Sequence, residues 1–203
     1  MKKKKNIIFE VGDVLIHYRW KEMLMDYGLT EKEATRVGTQ LFEDPEELWK
    51  MFDKGLLNEN ELVELYCKKY PKDAEVIRWF ILHGEYMHVG RPAVWKKVRE
   101  LKQEGYKIYL LSNYSEYLFE RHTQYADFLE DIDGKLVSYM VKMAKPEREI
   151  YEALVDKFQL KPEECLFFDD RKENVEAAEA CGIQSVQVLS QEQLLKELDA
   201  LIE

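Results

Sequence analysis

The chain has 203 residues, of which 46% are apolar and 34% charged, with nine glycines and five prolines. That is about one and a half average domains, long enough to bury a core without staples, and the composition excludes a disordered, collagenous or low-complexity protein. Forty acidic against thirty basic residues give a formal charge of −10, which repels polyphosphate backbones and argues against nucleic acid as a partner.

The chain opens on a lysine run, Lys2 to Lys5, followed by Ile7-Ile8-Phe9 before Glu10 intervenes. That apolar run is too short for a secretory signal, so the lysines read as the solvated start of a first strand at Ile7–Phe9. From about Arg19 to Gly90 the pattern is helical and no convincing strand stands out. Leu29-Thr-Glu-Lys-Glu, Glu43-Asp-Pro-Glu-Glu and Asn58-Glu-Asn-Glu each read as a helix beginning, with Thr, Asp or Asn placed to accept first-turn amides.

Beyond this segment, helical patterns at Ala93–Glu104, Glu116–Tyr125, Glu147–Phe158, Lys172–Cys181 and Gln191–Ile202 alternate with strand-like runs. The runs are Lys107–Leu111, Cys165–Phe168 and Ser185–Val188, and Gly105 and Gly182 stand where helices should stop. Such alternation predicts an α/β fold, a doubly wound parallel (Rossmann-like) sheet with an inserted α-helical cap subdomain. The expected division is 1–18 and 91–203 for the core and 19–90 for the cap.

Cys67, Cys165 and Cys181 are odd in number and form no CxxC or Cys/His cluster, which points to a reducing, cytoplasmic setting rather than to a disulfide framework or zinc site. The longest stretch without Asp, Glu, Lys or Arg is the eleven residues Cys181 to Gln191, well below the roughly eighteen a membrane helix needs. No membrane association is expected. The histidines His17, His83, His88 and His122 lack ligand spacing and read as structural. The aromatics Tyr18, Trp20, Trp49, Phe52, Trp79 and Phe80 read chiefly as packing.

In an open parallel sheet the loops at the carboxyl ends of the strands converge on one crevice. Here those loops carry Glu10-Val-Gly-Asp, Ser112-Asn113, Lys145-Pro146 and Asp169-Asp170-Arg-Lys-Glu-Asn174. Carboxylates, a hydroxyl and an amine are what a magnesium-dependent phosphoryl site needs, with hard oxygens for the metal and donors for the phosphoryl oxygens. Each piece also has a plainer reading: Asp169-Asp170 as a helix cap, Ser112-Asn113 as a turn, Lys145 as a solvated lysine before a helix. Gly12 stands alone, without the GxGxxG of a dinucleotide site.

Ile7-Ile-Phe-Glu-Val-Gly-Asp-Val-Leu, Ile108-Tyr-Leu-Leu-Ser-Asn, Lys145-Pro-Glu-Arg-Glu-Ile-Tyr and Leu166-Phe-Phe-Asp-Asp-Arg-Lys-Glu-Asn-Val-Glu-Ala-Ala occur in that order. This series resembles the haloacid dehalogenase-like hydrolases, in the branch with a helical cap inserted after the first strand. It is most similar to small sugar-phosphate phosphatases and to the phosphatase domain attached to some epoxide hydrolases. The resemblance implies a phosphatase of a small phosphorylated metabolite, acting through an acyl phosphate, with Mg2+ as cofactor, as a monomer or homodimer. It implies Glu10 in the nucleophile's place and, with the Gly12 carbonyl and Asp170, as a metal ligand. Ser112, Asn113 and Lys145 would bind the phosphoryl group, and Asp169 and Asn174 would support the site.

Two departures stand out. The family nucleophile is aspartate, and the extra methylene of Glu10 moves the attacking oxygen by roughly 1 Å, a shift that can cost about a hundredfold in rate. A substitution that traps a complex, a natural loss of turnover and a site shifted to use glutamate all fit the sequence. Gly12 stands where many members carry an acid–base Asp, which leaves the proton donor open; Asp13 is adjacent but its side chain should point elsewhere. Two alternatives belong to other classes: a phosphometabolite- or partner-binding protein without turnover, and a metal-free 2-haloacid dehalogenase.

Overall fold

Residue alternation along the first strand sets the layering of the molecule. The structure, a computed structural model, describes residues 4–202; Lys2 and Lys3 of the opening lysine run lie outside the described residues. In β1 (Asn6–Phe9), Ile7 and Phe9 face one core cluster and Ile8 the other, and all three are fully buried. A strand covered on both faces has to be apolar throughout, which is why it reads as a run rather than an alternation.

After β1 the chain forms β2 (Ile16–Tyr18) and then five helices: α1 (Trp20–Asp26), α2 (Glu31–Phe42), α3 (Leu48–Asp53), α4 (Glu59–Lys69) and α5 (Ala74–Leu82). It returns through β3 (His88–Gly90), which pairs antiparallel with β2. The remainder is α6 (Pro92–Gln103), β4 (Lys107–Ser112), α7 (Glu116–Thr123), β5 (Gly134–Val137), α8 (Ser138–Val141), α9 (Arg148–Phe158), β6 (Cys165–Asp169), α10 (Lys172–Ala180), β7 (Gln184–Gln187) and α11 (Gln191–Ile202).

Five strands make the main sheet in the order β5-β4-β1-β6-β7, all neighbours parallel. Val94, Val98 and Leu101 of α6 and Leu194 and Leu198 of α11 cover the face that Ile7 and Phe9 present. Ile150, Tyr151 and Leu154 of α9 and Ala178 of α10 cover the face of Ile8. The result is a three-layer, doubly wound α/β fold. Strand order reverses about β1, so the loops after β1, β4 and β6 open into a common crevice.

The structure corrects several expectations. The stretch 19–90 does end on a strand, β3, whose three residues are too few for a periodic signal. The sheet has an additional edge strand, β5. The cap expected from Asp44 is absent: α3 starts at Leu48 with no side-chain cap, and Asp44 accepts instead from Glu46 N, Lys69 Nζ and Tyr70 Oη. Thr30 and Asn58 do cap their helices, each in a box completed by the glutamate three residues on. Gly105 and Gly182 follow helix ends at φ of +90° and +81°, where any side chain would be strained.

Among the described residues no helix is long and apolar enough to cross a membrane.

Candidate active site

Three parallel strands end on polar groups at one rim. Glu10 follows β1 directly and its amide still donates to Phe168 O of β6 (2.9 Å); Ser112 closes β4 and Asp169 closes β6. All three are buried, Glu10 at 6% and the other two at 0% exposure. Lys145, 2% exposed, enters from the loop before α9 and donates to Glu10 Oε2, to Asp169 Oδ2 at 2.5 Å and to Leu111 O at 2.8 Å.

The loop carrying Lys145 is pinned by Asn113. Its side-chain oxygen accepts from Lys145 N (2.8 Å) while its side-chain nitrogen donates to Lys145 O (2.9 Å), a two-way clamp that imitates strand pairing. Asp169 is fixed on its other oxygen by Asn174 Nδ2 and by Arg171 N, both at 2.9 Å. Asn174 therefore sits against Asp169 rather than Asp170, and Asp169 combines a turn contact to the Arg171 amide with an ion pair to Lys145, while α10 has no side-chain cap.

The Glu10 carboxylate is enclosed by donors. Oε1 accepts from Val11 N (2.6 Å), Gly12 N (3.2 Å) and Ser112 Oγ; Oε2 accepts from Lys145 Nζ and from Asn113 N at 3.4 Å. Burial opposes the charge on Lys145, but Asp169 and Glu10 override it and hold the ammonium above its usual range.

Asp170 is half-buried beside this group. Burial, reinforced by the charges of Asp169 and Glu10, pushes its carboxyl up to about 7. Acidic charge outweighs the single lysine at this rim, a condition that a cation would relieve. Glu10, Asp170 and the Gly12 carbonyl offer only hard oxygen, as magnesium prefers, and magnesium commonly takes one or two carboxylates with water and substrate completing the shell. Among the described residues no three or more His, Cys, Asp or Glu side chains cluster at metal-holding spacing, so any such ion depends on that smaller set.

A cavity of about 460 Å³ opens over the rim, lined by Glu10, Gly12, Asn113 and Asp170 below and by Tyr18, Trp20, Phe42 and Trp49 above. Of the aromatics read as packing, Tyr18, Trp20 and Trp49 reach this cavity; Phe52 and Phe80 are core, and Trp79 stacks against His83. Asp13 turns away from the Glu10 carboxylate, its Oδ1 accepting from Tyr18 N (3.0 Å) and lying 2.9 Å from His17 Nδ1. Arg19 pairs with Asp26. His122 is buried, 2.7 Å from Gly84 O and 2.9 Å from Tyr114 Oη, and burial lowers its pKa to about 3, which fits a structural role.

Sequence reasoning missed two features of the cavity. Asp53, at the end of α3, lines it, and burial together with the charge of Glu10 pushes its carboxyl up to about 8 from the usual 3.8. Its only sequence signal is an acid at a helix end. The folded state binds this proton more tightly than the unfolded chain, so the contribution to stability is complete below about pH 4 and is lost as pH rises through about 8. Asp53→Asn is expected to flatten that fall by of order 1–2 kcal/mol, discounted for water in the open cavity; urea melts at several pH values check it.

The second missed feature explains Gly12. A Cβ at this position would lie 2.4 Å from the Tyr18 ring, which packs against Tyr114 and His122 at 5.8 and 5.9 Å between centroids. Tyr18 fills the space a side chain at position 12 would need. Gly12→Ala should cost about 1–3 kcal/mol by overpacking, and Tyr18→Ala in the same chain should recover most of it, as read by denaturant midpoint.

Fold and rim together define an α/β protein of the Rossmann-like, parallel-sheet kind with polar groups gathered at its switch point. Residues 87–182 match the family model described as haloacid dehalogenase-like hydrolase. The chain is 25% identical over 190 residues to the phosphatase MT3486 of Mycobacterium tuberculosis, covering 88% of this chain and 84% of that protein. It is 29% identical over 199 residues to enolase-phosphatase E1 of a Hydrogenobaculum species, covering 94% and 88%. Two longer relatives are spanned over only 35% and 15% of their length. Among solved structures, the magnesium complex of the family enzyme bt-2542 from Bacteroides thetaiotaomicron superposes with a TM-score of 0.72 at 25% identity, over 94% of this chain and 96% of that one. Over residues 87–182 the chain is thus similar to the haloacid dehalogenase-like hydrolases.

Proposed function

We propose that this protein is a magnesium-dependent phosphohydrolase of a small phosphorylated metabolite, a sugar phosphate being one that the cavity would admit, and that Glu10 impairs its turnover. One observation carries the reading: Glu10, Ser112, Asn113 and Lys145 converge beside Asp169 and Asp170 at the carboxyl ends of β1, β4 and β6, beneath a cavity of metabolite size. The phosphatase names among its relatives and the magnesium complex of the Bacteroides enzyme support it.

The carboxylate at position 10 attacks phosphorus, the ester oxygen departs, and water then cleaves the resulting acyl phosphate. Ser112 Oγ, the amides of Val11, Gly12 and Asn113, and Lys145 Nζ hold the phosphoryl oxygens as charge develops on them. Magnesium, held by the residue-10 carboxylate, the Gly12 carbonyl and Asp170, would supply further charge neutralisation. Asp169 orients Lys145, and Asn174 orients Asp169. With no carboxylate at position 12 and Asp13 engaged by His17 and Tyr18, Asp53 is the cavity group suited to protonate the leaving oxygen, because its raised pKa keeps it protonated near neutrality.

The test is phosphate release by Glu10→Asp from a panel of sugar phosphates, nucleotides and phospholipid head groups, with magnesium and with a chelator. Release from at least one class, abolished by the chelator, is expected. Silence across the panel, or chelator-insensitive chloride release from a 2-haloacid, overturns the reading.

A further inference from the structure

We infer that Glu10 fills its own protein's anion cradle, its carboxylate standing where the oxyanion of a ligand would be held, so that the chain is blocked against phosphate by one of its own side chains. The inference rests on the phosphohydrolase reading for the class of ligand and on geometry for the block. Two successive main-chain amides, a third amide, a hydroxyl and an ammonium converge on the two oxygens of this one carboxylate. Such an array of N–H and O–H donors around a point is an oxyanion site by its chemistry.

The side chain reaches this place by folding back over its own loop, so that residue 10 accepts from the amides of residues 11 and 12. It is buried there, and it satisfies donors that would be costly to leave unpaired. A tetrahedral oxyanion cannot share these donors with it, since both carboxylate oxygens are already seated. An aspartate carboxylate would stop about 1.5 Å short, one carbon–carbon bond, and would leave the cradle open without changing the charge of the site.

Binding of inorganic phosphate in excess magnesium, by calorimetry and by the shift of the melting temperature, separates occupancy from charge. Glu10→Asp keeps the charge and is expected to bind phosphate at least about tenfold more tightly than the parent chain; Glu10→Ala should move the same way, and the parent's melting temperature should not respond to phosphate. A parent that phosphate stabilises, or that binds within about threefold of Glu10→Asp, overturns the inference, as does a folded Glu10→Asp and Glu10→Ala pair that binds no phosphate. The outcomes also separate from those of the functional reading. Tighter phosphate binding with no ester hydrolysed keeps the block and removes the phosphohydrolase, whereas hydrolysis by Glu10→Asp with unchanged phosphate affinity does the reverse.

Discussion

Glu10→Asp is expected to release phosphate from a susceptible monoester at least about a hundredfold faster than the parent chain. Two effects act together. Withdrawing the carboxylate vacates Ser112 Oγ, Lys145 Nζ and the amides of Val11, Gly12 and Asn113 for the phosphoryl oxygens. It also returns the attacking oxygen to a position from which displacement at phosphorus is in line, and an error near 1 Å in that alignment is worth about two orders of magnitude. Steady-state phosphate release over a substrate series measures it; equal rates for parent and variant would contradict the role given to residue 10.

Lys145→Met should cause the largest loss of stability. The lysine is buried between Glu10 and Asp169, both buried, and donates to each. Removing one partner of a buried ion pair costs about 3–5 kcal/mol because the other charge stays behind uncompensated, and here two carboxylates remain. Urea unfolding of parent and variant reads this directly. A loss below about 1 kcal/mol would mean that the trio is far more hydrated than its geometry allows.

The core strands are legible in the amino-acid sequence because β1, β4 and β6 lie inside a parallel sheet and must be apolar on both faces. β5 is not, since Gly134-Lys135-Leu136-Val137 opens with glycine and lies at the sheet edge with half its residues only partly covered. The β2–β3 ribbon is three residues a side, below the length at which any period registers. Asp44 shows the limit of local reasoning about caps: Lys69 and Tyr70, about seven helical turns away in sequence, draw its carboxylate from the helix it precedes.

Residue types at strand ends made the site readable, since an acid, a hydroxyl, an amide and a lysine in those loops have few structural reasons to be there together. What they touch was not readable. The clamp between Asn113 and Lys145 joins residues 32 apart, and the contacts of Glu10 with Ser112 and Lys145 span 102 and 135. Asp53 enters the cavity only because α3 packs over the rim, and Gly12 is explained only by the ring of Tyr18. The resemblance implied roles for positions; the geometry shows that the Glu10 carboxylate accepts from the amides of Val11, Gly12 and Asn113, from Ser112 Oγ and from Lys145 Nζ.

A crystal structure of Glu10→Asp with magnesium and orthovanadate tests the central claim most directly. The account predicts one oxyanion accepting hydrogen bonds from Ser112 Oγ, Lys145 Nζ and the amides of Val11, Gly12 and Asn113, with the cation against Asp170. An oxyanion seated away from the ends of β1 and β4, with those five donors still paired to groups of the protein, would contradict it.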